Sequence, residues 1–363
     1  MPHPTVTVGI LAHNGERYLH ETLAAVRQLA YADIEVIVLD NASTDGTRRV
    51  LSQWPDVVAL HEPVNLGCGG GRNRLLGAAR GDYVLLLDDD VVLDDPETIQ
   101  TFVDESRRRG DACVLSAVLA ERDAPVTMHY GLFFAPLKRP VSPDVLRTLP
   151  AFRAAAPIDG CTFFHRGVAS EIGAYDARYP FNLSDYDFGA RTAVRGIPTW
   201  ILTGIHGVHT GGARRVDPRT WEWRQSFYLC GMVRTLAKVC RWRDAAIWIP
   251  GAMLWVAWRL IREAPRFGPR RVTRALVWSL ARAAADVPST LRERRDARRP
   301  PVIDDRFLML MPPVPCQNGL ARTIRRVHDA TCSALDRVHG VPVRDPRHGR
   351  FVRRWRNRAD NHG

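Results

Sequence analysis

The sequence contains the run Tyr83-Val84-Leu85-Leu86-Leu87-Asp88-Asp89-Asp90, in which a strongly apolar, strand-like segment leads directly into three carboxylates. Adjacent carboxylates repel one another, and a divalent cation relieves that repulsion because carboxylate oxygens are the ligands that Mg²⁺ and Mn²⁺ prefer. Acidic loops also follow strands where no metal binds, so the run alone leaves a structural role open. It predicts a candidate cation site at the end of a buried strand.

Strand-like and helix-like segments alternate on both sides of this run. The strand-like segments are predominantly apolar and lie at residues 6–11, 34–39, 57–60, 83–87 and 113–119. The amphipathic, helix-like segments lie between them, at residues 16–29, 46–54, 72–80 and 96–109. This alternation predicts an α/β fold with a mostly parallel, Rossmann-like sheet flanked by helices. In such sheets ligands bind beyond the carboxyl ends of the strands, so the polar residues there are the candidate site.

Two more polar clusters follow predicted strands or begin predicted helices. Asp40 comes directly after the second strand, where a carboxylate can accept hydrogen bonds from a nucleobase; residues 41–46 are equally typical of a helix-capping turn. Asp185 and Asp187 lie at the start of a later helix. Asp187 and Arg191 are spaced to pair on the helix surface, whereas Asp185 can point into a cleft.

A glycine-rich loop at residues 65–73 lies between the first two acidic clusters. It has no G-x-G-x-x-G register and follows the third strand rather than the first, so it does not fit a dinucleotide-binding loop. Because it leads into a helix, it can still let backbone N–H groups meet phosphate or sugar oxygens.

Cysteine usage and the N-terminus bear on the compartment. The seven cysteines are scattered, odd in number and without a C-x-x-C pair, which argues against a disulfide framework and a zinc site and favours a reducing cytoplasm. The N-terminus lacks the pattern of a secretory signal. We therefore expect a cytoplasmic protein.

Charge is divided unevenly along the 363 residues. Residues 1–233 carry 23 basic and 28 acidic side chains, residues 234–299 carry 16 and 5, and residues 300–363 carry 12 and 6. The acidic first part makes nucleic acid an unexpected partner, and no nucleic-acid module is evident. An acidic part joined to a basic remainder indicates two tasks in one chain.

The basic remainder contains an uncharged, tryptophan-rich stretch at residues 245–258, flanked by arginines. At fourteen residues it is shorter than the ~20 that a membrane span needs. Apolar, aromatic helices beside arginines suit the interface of an anionic membrane, and Trp255 and Trp258 are the expected contacts. The alternative is a helical layer packed on the sheet with its arginines facing solvent. The first reading predicts peripheral attachment at the inner face of the cell membrane.

Taken in order, the polar motifs resemble the family 2 glycosyltransferases of the GT-A fold, in particular rhamnosyltransferase-like bacterial members. The matching motifs are residues 6–15, residues 38–47, Asn65-Leu66-Gly67 with Asn73, Leu87-Asp88-Asp89-Asp90, Gly173-Ala174-Tyr175-Asp176, Asp185-Tyr186-Asp187, Arg191, Gly196 and Val208-His209. The resemblance implies a GT-A domain over residues 1–218, a basic helical region over 219–299 and a C-terminal extension, partly disordered, over 300–363.

The resemblance also implies a role for each matched residue. Asp40 would contact the pyrimidine of the donor, and Asp185 would be the general base. A divalent metal, Mg²⁺ or Mn²⁺, would be bound by Asp88, Asp90 and His209. The donor-binding positions would be Ala12, Asn14, Asp40, Asn65, Gly67, Asn73, Asp88 and Asp89.

The chain departs from the family pattern at two places. Ser184 stands before the presumed base, where the family usually has Glu. The segment after the first strand reads Leu11-Ala12-His13-Asn14, where the family usually has Pro-Thr-Tyr-Asn or similar. The first departure bears on acceptor preference more than on catalysis.

The activity that the resemblance implies is an inverting transfer of a sugar from a UDP- or dTDP-linked donor to an acceptor hydroxyl of a cell-surface or lipid-linked glycan. Tailoring of a small natural-product aglycone is the alternative. A sugar nucleotidyltransferase is a third reading, but it would want a basic, glycine-rich loop where this chain has Ala12-His13-Asn14-Gly15. A non-enzymatic binding module would not need residues 88–90 and Asp185 together.

Overall fold

A computed structural model describes residues 3–122, 151–154, 156–158, 160–181, 183–211, 218–240 and 242–296. All of them fall within the first of two compact units, Met1–Pro312, and the second unit is Pro313–Gly363. The C-terminal extension expected over residues 300–363 lies outside the described residues.

The centre of the fold is a mixed β-sheet with strand order β3-β2-β1-β4-β8-β6-β9-β5, in which β7 also pairs with β9. The strands are β1 (Val6–Ala12), β2 (Ile34–Asn41), β3 (Val58–Glu62), β4 (Tyr83–Asp88), β5 (Val91–Leu93), β6 (Val114–Glu121), β7 (Ala151–Ala154), β8 (Cys161–His165) and β9 (Thr199–His209). Neighbours among β1 to β4 are parallel, as predicted. The β8 strand is antiparallel to β4 and β6, and β5 and β7 are antiparallel to β9, so the whole sheet is mixed.

Helices cover the sheet and continue beyond it. They are α1 (Leu19–Arg27), α2 (Thr47–Leu51), α3 (Gly67–Ala78), α4 (Thr98–Arg108), α5 (Arg166–Ile172), α6 (Ser184–Val194), α7 (Pro218–Val239), α8 (Trp242–Arg262), α9 (Ala264–Phe267) and α10 (Pro269–Asp296). The four helices predicted in the first part of the chain correspond to α1 to α4. Each predicted strand there is also present. Strands β1, β4 and β6 are almost entirely buried, as expected for apolar strands, whereas β3 at the edge of the sheet is largely exposed.

The two short strands β5 and β7 were not predicted. Each has only three or four residues, too few for a periodic pattern, and β7 lies in a stretch of weak periodicity. The β5 strand matters for the site because it follows the acidic run and pairs with the end of β9.

The basic C-terminal helices share one hydrophobic core with α6. Leu229 and Leu236 of α7 and Leu260 of α8 are buried in the same cluster as Tyr186 and Ala190 of α6. The predicted boundary at residue 218 coincides with the start of α7, and this core runs across it. Helices α7, α8 and α10 thus form a layer packed on the α/β part, here called the helical layer.

Trp255 belongs to this core. It is 8% exposed, and its ring lies 5.6 Å from that of Tyr228. The expectation that Trp255 contacts a membrane is therefore wrong, because its side chain faces inward, whereas Trp258 is 48% exposed. No helix of the described residues combines the length and the apolar character needed to cross a bilayer.

Candidate active site

The carboxyl ends of three parallel strands meet at one edge of the sheet. Ala12 at the end of β1 is in register with Asp40 at the end of β2. On its other side, Leu11 of β1 is in register with Asp88 at the end of β4. The two acidic clusters that the sequence placed after separate strands therefore lie on either side of the end of β1, as the parallel arrangement predicts.

The β5–β9 pairing brings His209 to the acidic run. Val91 is in register with His209, and Nε2 of His209 lies 3.2 Å from Oδ2 of Asp90. Nδ1 of the same ring lies 3.2 Å from Oε2 of Glu121. Burial lowers the pKa of His209, but hydrogen bonds and charge from Asp90 and Glu121 outweigh it and raise the pKa to about 9. The ring is thus held as an imidazolium between two carboxylates.

Asp90 and His209 are chemically suited to share a divalent cation with a substrate. Among the residues that the structure describes, no group of three or more His, Cys, Asp or Glu side chains is arranged to hold a metal ion by itself. Mg²⁺, however, is usually held by one or two carboxylates together with substrate phosphates and water. The Asp90–His209 pair fits that mode, with a cation taking the place of the proton that His209 carries between its carboxylates.

A buried arginine joins the acidic run to the start of α6. Nη2 of Arg72 donates to Oδ1 of Asp88 at 3.1 Å, and Nη1 donates to Oγ of Ser184 at 2.9 Å. Arg72 is 4% exposed, and its guanidinium lies 5.5 Å from the ring centre of Tyr175. This bridge holds Ser184, the first residue of α6, close to Asp88 at the sheet edge.

Arg72 was not among the predicted site residues. In the sequence it only interrupts the glycine pattern. The glycines beside it give no signal for it, because Gly69 lies against the backbone of Asp176 and Gly71 lies against Leu11. Its two partners lie in distant parts of the chain, so their identity required the fold.

The two carboxylates at the start of α6 have different surroundings. Asp187 is fully buried and accepts hydrogen bonds from Nε of Arg191 at 2.7 Å and Nζ of Lys238 at 3.0 Å. The predicted Asp187–Arg191 pair is confirmed, but it is buried rather than on the surface. Asp185 is 7% exposed and, two residues earlier on the helix, points to a different side. Asn182, at the start of the same motif, lies outside the described residues.

Asp40 is completely buried beneath the loop that follows β2. Its carboxylate accepts hydrogen bonds from the Ser43 amide at 2.9 Å, Nε of Arg48 at 2.7 Å and the His61 ring at 3.2 Å. Burial raises the pKa of Asp40, but its hydrogen bonds to Ser43 and Arg48 outweigh burial and bring the pKa down to about 2. In this arrangement Asp40 anchors the loop; contact with a nucleobase requires the loop to open, and that role stays a prediction.

Asp89 faces the loop after β1, whereas Asp88 contacts Arg72 and Asp90 contacts His209. Oδ2 of Asp89 accepts a hydrogen bond from the His13 amide at 3.1 Å, and its carboxylate occupies the space that a side chain at Gly15 would need. In the same loop, Oδ1 of Asn14 accepts a hydrogen bond from the Thr44 amide at 2.8 Å. These contacts tie the β1 and β2 loops together, and donor contacts by Asn14 and Asp89 stay predictions.

The predicted donor-binding residues of the glycine-rich loop also make internal contacts. Oδ1 of Asn65 accepts a hydrogen bond from the Gly67 amide at 2.7 Å. Gly67 has a φ of +72°, and a side chain there would come within 2.5 Å of the backbone of Pro180. The side-chain amide of Asn73 bonds both the N–H and the C=O of Tyr175, each at 2.8 Å. Gly67 and Asn73 thus hold the segment around residues 175–180 against α3, and Asn65 fixes the turn that leads into this helix.

The backbone N–H groups at the start of α3 are occupied within the protein. The amide of Cys68 donates to the Pro180 carbonyl at 3.1 Å, and that of Gly69 donates to the Tyr179 carbonyl at 3.2 Å. The expectation that they meet phosphate or sugar oxygens is wrong for these two groups, because the 175–180 segment covers the helix start.

A matching family model and several curated relatives are described as glycosyltransferases or rhamnosyltransferases. Residues 7–173 match the model described as glycosyl transferase family 2. The O-antigen chain rhamnosyltransferase WbaN of Salmonella anatum is 25% identical over 129 residues, which are 35% of this chain and 41% of that protein. The N-acetylglucosaminyl-diphospho-decaprenol L-rhamnosyltransferase of Mycobacterium tuberculosis is 26% identical over 207 residues, 49% of this chain and 67% of that protein. Several other curated relatives are matched over about a third of their length.

A solved structure supports the fold. The chain is similar to a mannosyltransferase from Pyrobaculum calidifontis in complex with GDP-Man and Mn²⁺, with a TM-score of 0.50, 18% identity and coverage of 82% of each chain. At this identity the likeness shows the fold alone. The fold is the predicted α/β arrangement of the GT-A type, with helices flanking a Rossmann-like sheet.

Proposed function

Since residues 7–173 belong to glycosyl transferase family 2, we propose that the protein transfers a sugar from a nucleotide-diphosphate donor to an acceptor hydroxyl. The observation that carries this proposal is the Arg72 bridge. It joins Asp88, at the sheet edge, to Ser184, at the start of the helix that carries Asp185. The bridge supports the proposal because it links the sheet edge to the first turn of α6, the turn that carries the candidate base, although the two segments are far apart in the sequence.

On the donor side, Asp90 and His209 would hold a Mg²⁺ or Mn²⁺ ion, which when bound stabilises the negative charge that grows on the departing diphosphate. Asp88 keeps a partly exposed carboxylate, 33% accessible, while Arg72 fixes its other side. A carboxylate held in this way can accept hydrogen bonds from ribose or sugar hydroxyls and orient the donor. The similar mannosyltransferase was solved with a nucleotide sugar and Mn²⁺, which supports this assignment.

On the acceptor side, Asp185 would take the proton of the hydroxyl as its oxygen attacks the anomeric carbon. The new carbon–oxygen bond forms while the bond to the diphosphate breaks. With base and leaving group on opposite faces of the sugar, the displacement inverts the anomeric centre. Asp187 is excluded from this role because its carboxylate is buried and bonded to Arg191 and Lys238.

The proposed donor is a UDP- or dTDP-linked sugar of the rhamnose or hexose type, and the proposed acceptor is a lipid-linked or cell-surface glycan. Two relatives named rhamnosyltransferases support this choice, one named for O-antigen chains and one for a decaprenol-linked acceptor.

A lipid-linked acceptor would bring the enzyme to a membrane surface, and α8 offers a suitable face. Three large apolar side chains at i, i+4 and i+7 spacing are exposed along it: Leu254 at 73%, Trp258 at 48% and Ile261 at 61%. The guanidinium of Arg262 lies 4.9 Å from the ring centre of Trp258. Aromatic and apolar groups beside arginines on one helix face suit an anionic interface, so we propose peripheral binding through this face.

Donor binding is tested by thermal unfolding with UDP, dTDP and GDP, each with Mn²⁺ and with excess chelator. A nucleotide at about 100 times its dissociation constant stabilises a folded protein by about 2.7 kcal/mol. We expect UDP or dTDP to raise the melting temperature in Mn²⁺ and much less in chelator. No shift with any nucleotide at millimolar concentration would contradict the proposal, and a shift with GDP alone would change the donor.

A further inference from the structure

Lys238 of α7 reaches out of the helical layer to two acidic residues near the candidate site. It is 6% exposed, and its Nζ lies 3.0 Å from Oδ1 of Asp187 on α6. The same ammonium group forms an ion pair with the carboxylate of Asp176 and lies 3.7 Å from Glu293 of α10. Lys238 is one of only two lysines among 51 basic residues, so this position holds a compact ammonium in a chain that otherwise uses arginine.

The partners of Lys238 define a closed network around Asp187. Burial raises the pKa of Asp187, but the charges of Arg191 and Lys238 outweigh it and keep the carboxylate ionised. The hydroxyl of Tyr179 lies 3.2 Å from Oδ1 of Asp187 and 2.7 Å from Oγ1 of Thr235, one turn before Lys238 on α7. A buried carboxylate with these fixed partners has little freedom to move, because losing any of them leaves charge unpaired in the interior.

This network fixes the direction in which Asp185 points. Residues two apart on a helix lie on different sides of it, so anchoring Asp187 to α7 sets the rotation of the first turn of α6. Asp176, the other carboxylate that Lys238 contacts, connects the network to the donor side of the site. Its main-chain carbonyl packs directly against Gly69 at the start of α3, the helix that carries Arg72.

We propose that Lys238 is a positioning residue for Asp185. By holding Asp187 and Asp176 together, it fixes the candidate base relative to the start of α3, the helix that carries Arg72. The inference rests on the proposed function. It makes the helical layer part of the acceptor side of the active site, and it assigns Lys238 no contact with substrate.

Arg234 provides a matched control on the same helix. It lies one turn before Lys238, is also 6% exposed and also forms a buried ion pair, but its carboxylate partner is Asp286 of α10, at 2.5 Å. Its guanidinium also lies over the Tyr179 ring and donates to the Arg178 carbonyl. Lys238→Met and Arg234→Met therefore remove comparable buried charges and differ in whether the carboxylates of Asp187 and Asp176 lose a partner. Both variants are compared with wild-type protein well below their melting temperatures, with kcat and the donor and acceptor KM values determined separately.

We expect Lys238→Met to lower kcat at least tenfold with the donor KM within threefold of wild type, and Arg234→Met to keep kcat within threefold. Equal losses of kcat in both variants, or a wild-type kcat in Lys238→Met, would overturn the inference. Failure of wild-type protein to turn over any donor would instead count against the proposed function.

Tyr179→Phe keeps the test open if Lys238→Met does not fold. It removes only the hydroxyl next to Asp187 and preserves the volume of the ring, so the core should stay packed. We expect kcat to fall threefold to tenfold at an unchanged donor KM. A kcat equal to that of wild type, in a folded Tyr179→Phe protein, would contradict the positioning role of the network.

Discussion

Nε2 of His209 lies 3.2 Å from Oδ2 of Asp90, and this contact joins the end of β9 to the acidic run after β4. The pairing of β5 with β9 produces it, since the register sets Val91 opposite His209. A carboxylate and an imidazole at this separation can take up a cation when a diphosphate supplies further oxygens. The pair is therefore the centre of the proposed donor site.

Metal dependence follows from this pair. We expect excess chelator to abolish transfer and Mn²⁺ or Mg²⁺ to restore it. Asp90→Ala should lower kcat/KM by about 10²-fold or more, because a bound cation contributes several kcal/mol to the transition state. The exposed Asp94 serves as a control, and Asp94→Asn should leave kcat/KM unchanged. Full activity in chelator would rule out the metal assignment.

The Arg72 bridge predicts a combined loss of stability and activity in Arg72→Met. Removing it leaves Asp88 and Ser184 without their shared donor, and hydrogen bonds to charged groups contribute about 1.5–3 kcal/mol. Arg74, two residues along α3, forms an exposed pair with Glu62 and is the matched control. Arg74→Met should cost less than about 1 kcal/mol. Chemical denaturation gives the free energy of unfolding of both variants. Equal losses in Arg72→Met and Arg74→Met would contradict the stabilising role of the bridge.

Acid unfolding should reveal the anchoring role of Asp40. Its pKa is lowered in the fold from 3.8 to about 2, so its contribution is present above pH 3.8 and is lost as the pH falls through 2. At roughly 1.4 kcal/mol per pKa unit, Asp40→Asn should cost about 2 kcal/mol at neutral pH and much less near pH 2. Denaturant titrations across pH check this, with Asp56→Asn at an exposed pair as control. A cost for Asp40→Asn that does not change with pH would show that Asp40 acts through packing alone.

Membrane binding by the exposed face of α8 is tested by sedimentation with vesicles. The protein should sediment with anionic vesicles at low salt and be released at high salt, since each arginine near the surface contributes about 1 kcal/mol. Trp258→Ala should reduce binding while leaving turnover of free donor unchanged, and neutral vesicles are the control. If wild-type protein stays in the supernatant with anionic vesicles at low salt, the acceptor is better sought among small molecules.

The sheet edge could be predicted from the sequence because its signals are local. Strands β1, β2 and β4 are predominantly apolar, and the carboxylates Asp40 and Asp88 lie at the ends of β2 and β4. Parallel neighbours then place these residues at one edge, which needs no knowledge of the remaining fold. The Asp187–Arg191 pair was likewise predictable, because it depends on helical spacing alone.

The internal partners of the site residues could not be predicted, because they depend on tertiary contacts. Arg72 meets Ser184, and Lys238 meets Asp187, only after α3, α6 and α7 have packed. The prediction that Trp255 contacts a membrane was wrong for a related reason. A helix rich in tryptophan presents the same sequence pattern whether a given ring faces a protein core or a membrane, and the packing of α8 on α7 decided it.

Release of nucleoside diphosphate from UDP- and dTDP-sugars in Mn²⁺, with Asp185→Asn compared with wild type, is the most direct test of the proposed transfer. We expect wild-type protein to turn over at least one donor. Asp185→Asn should keep its donor affinity while its turnover falls roughly 10²–10⁴-fold, the contribution typical of a general base. Asp187→Asn should mainly lose stability, since it breaks a buried pair. No turnover of any donor by wild-type protein, or full turnover by Asp185→Asn, would contradict the account.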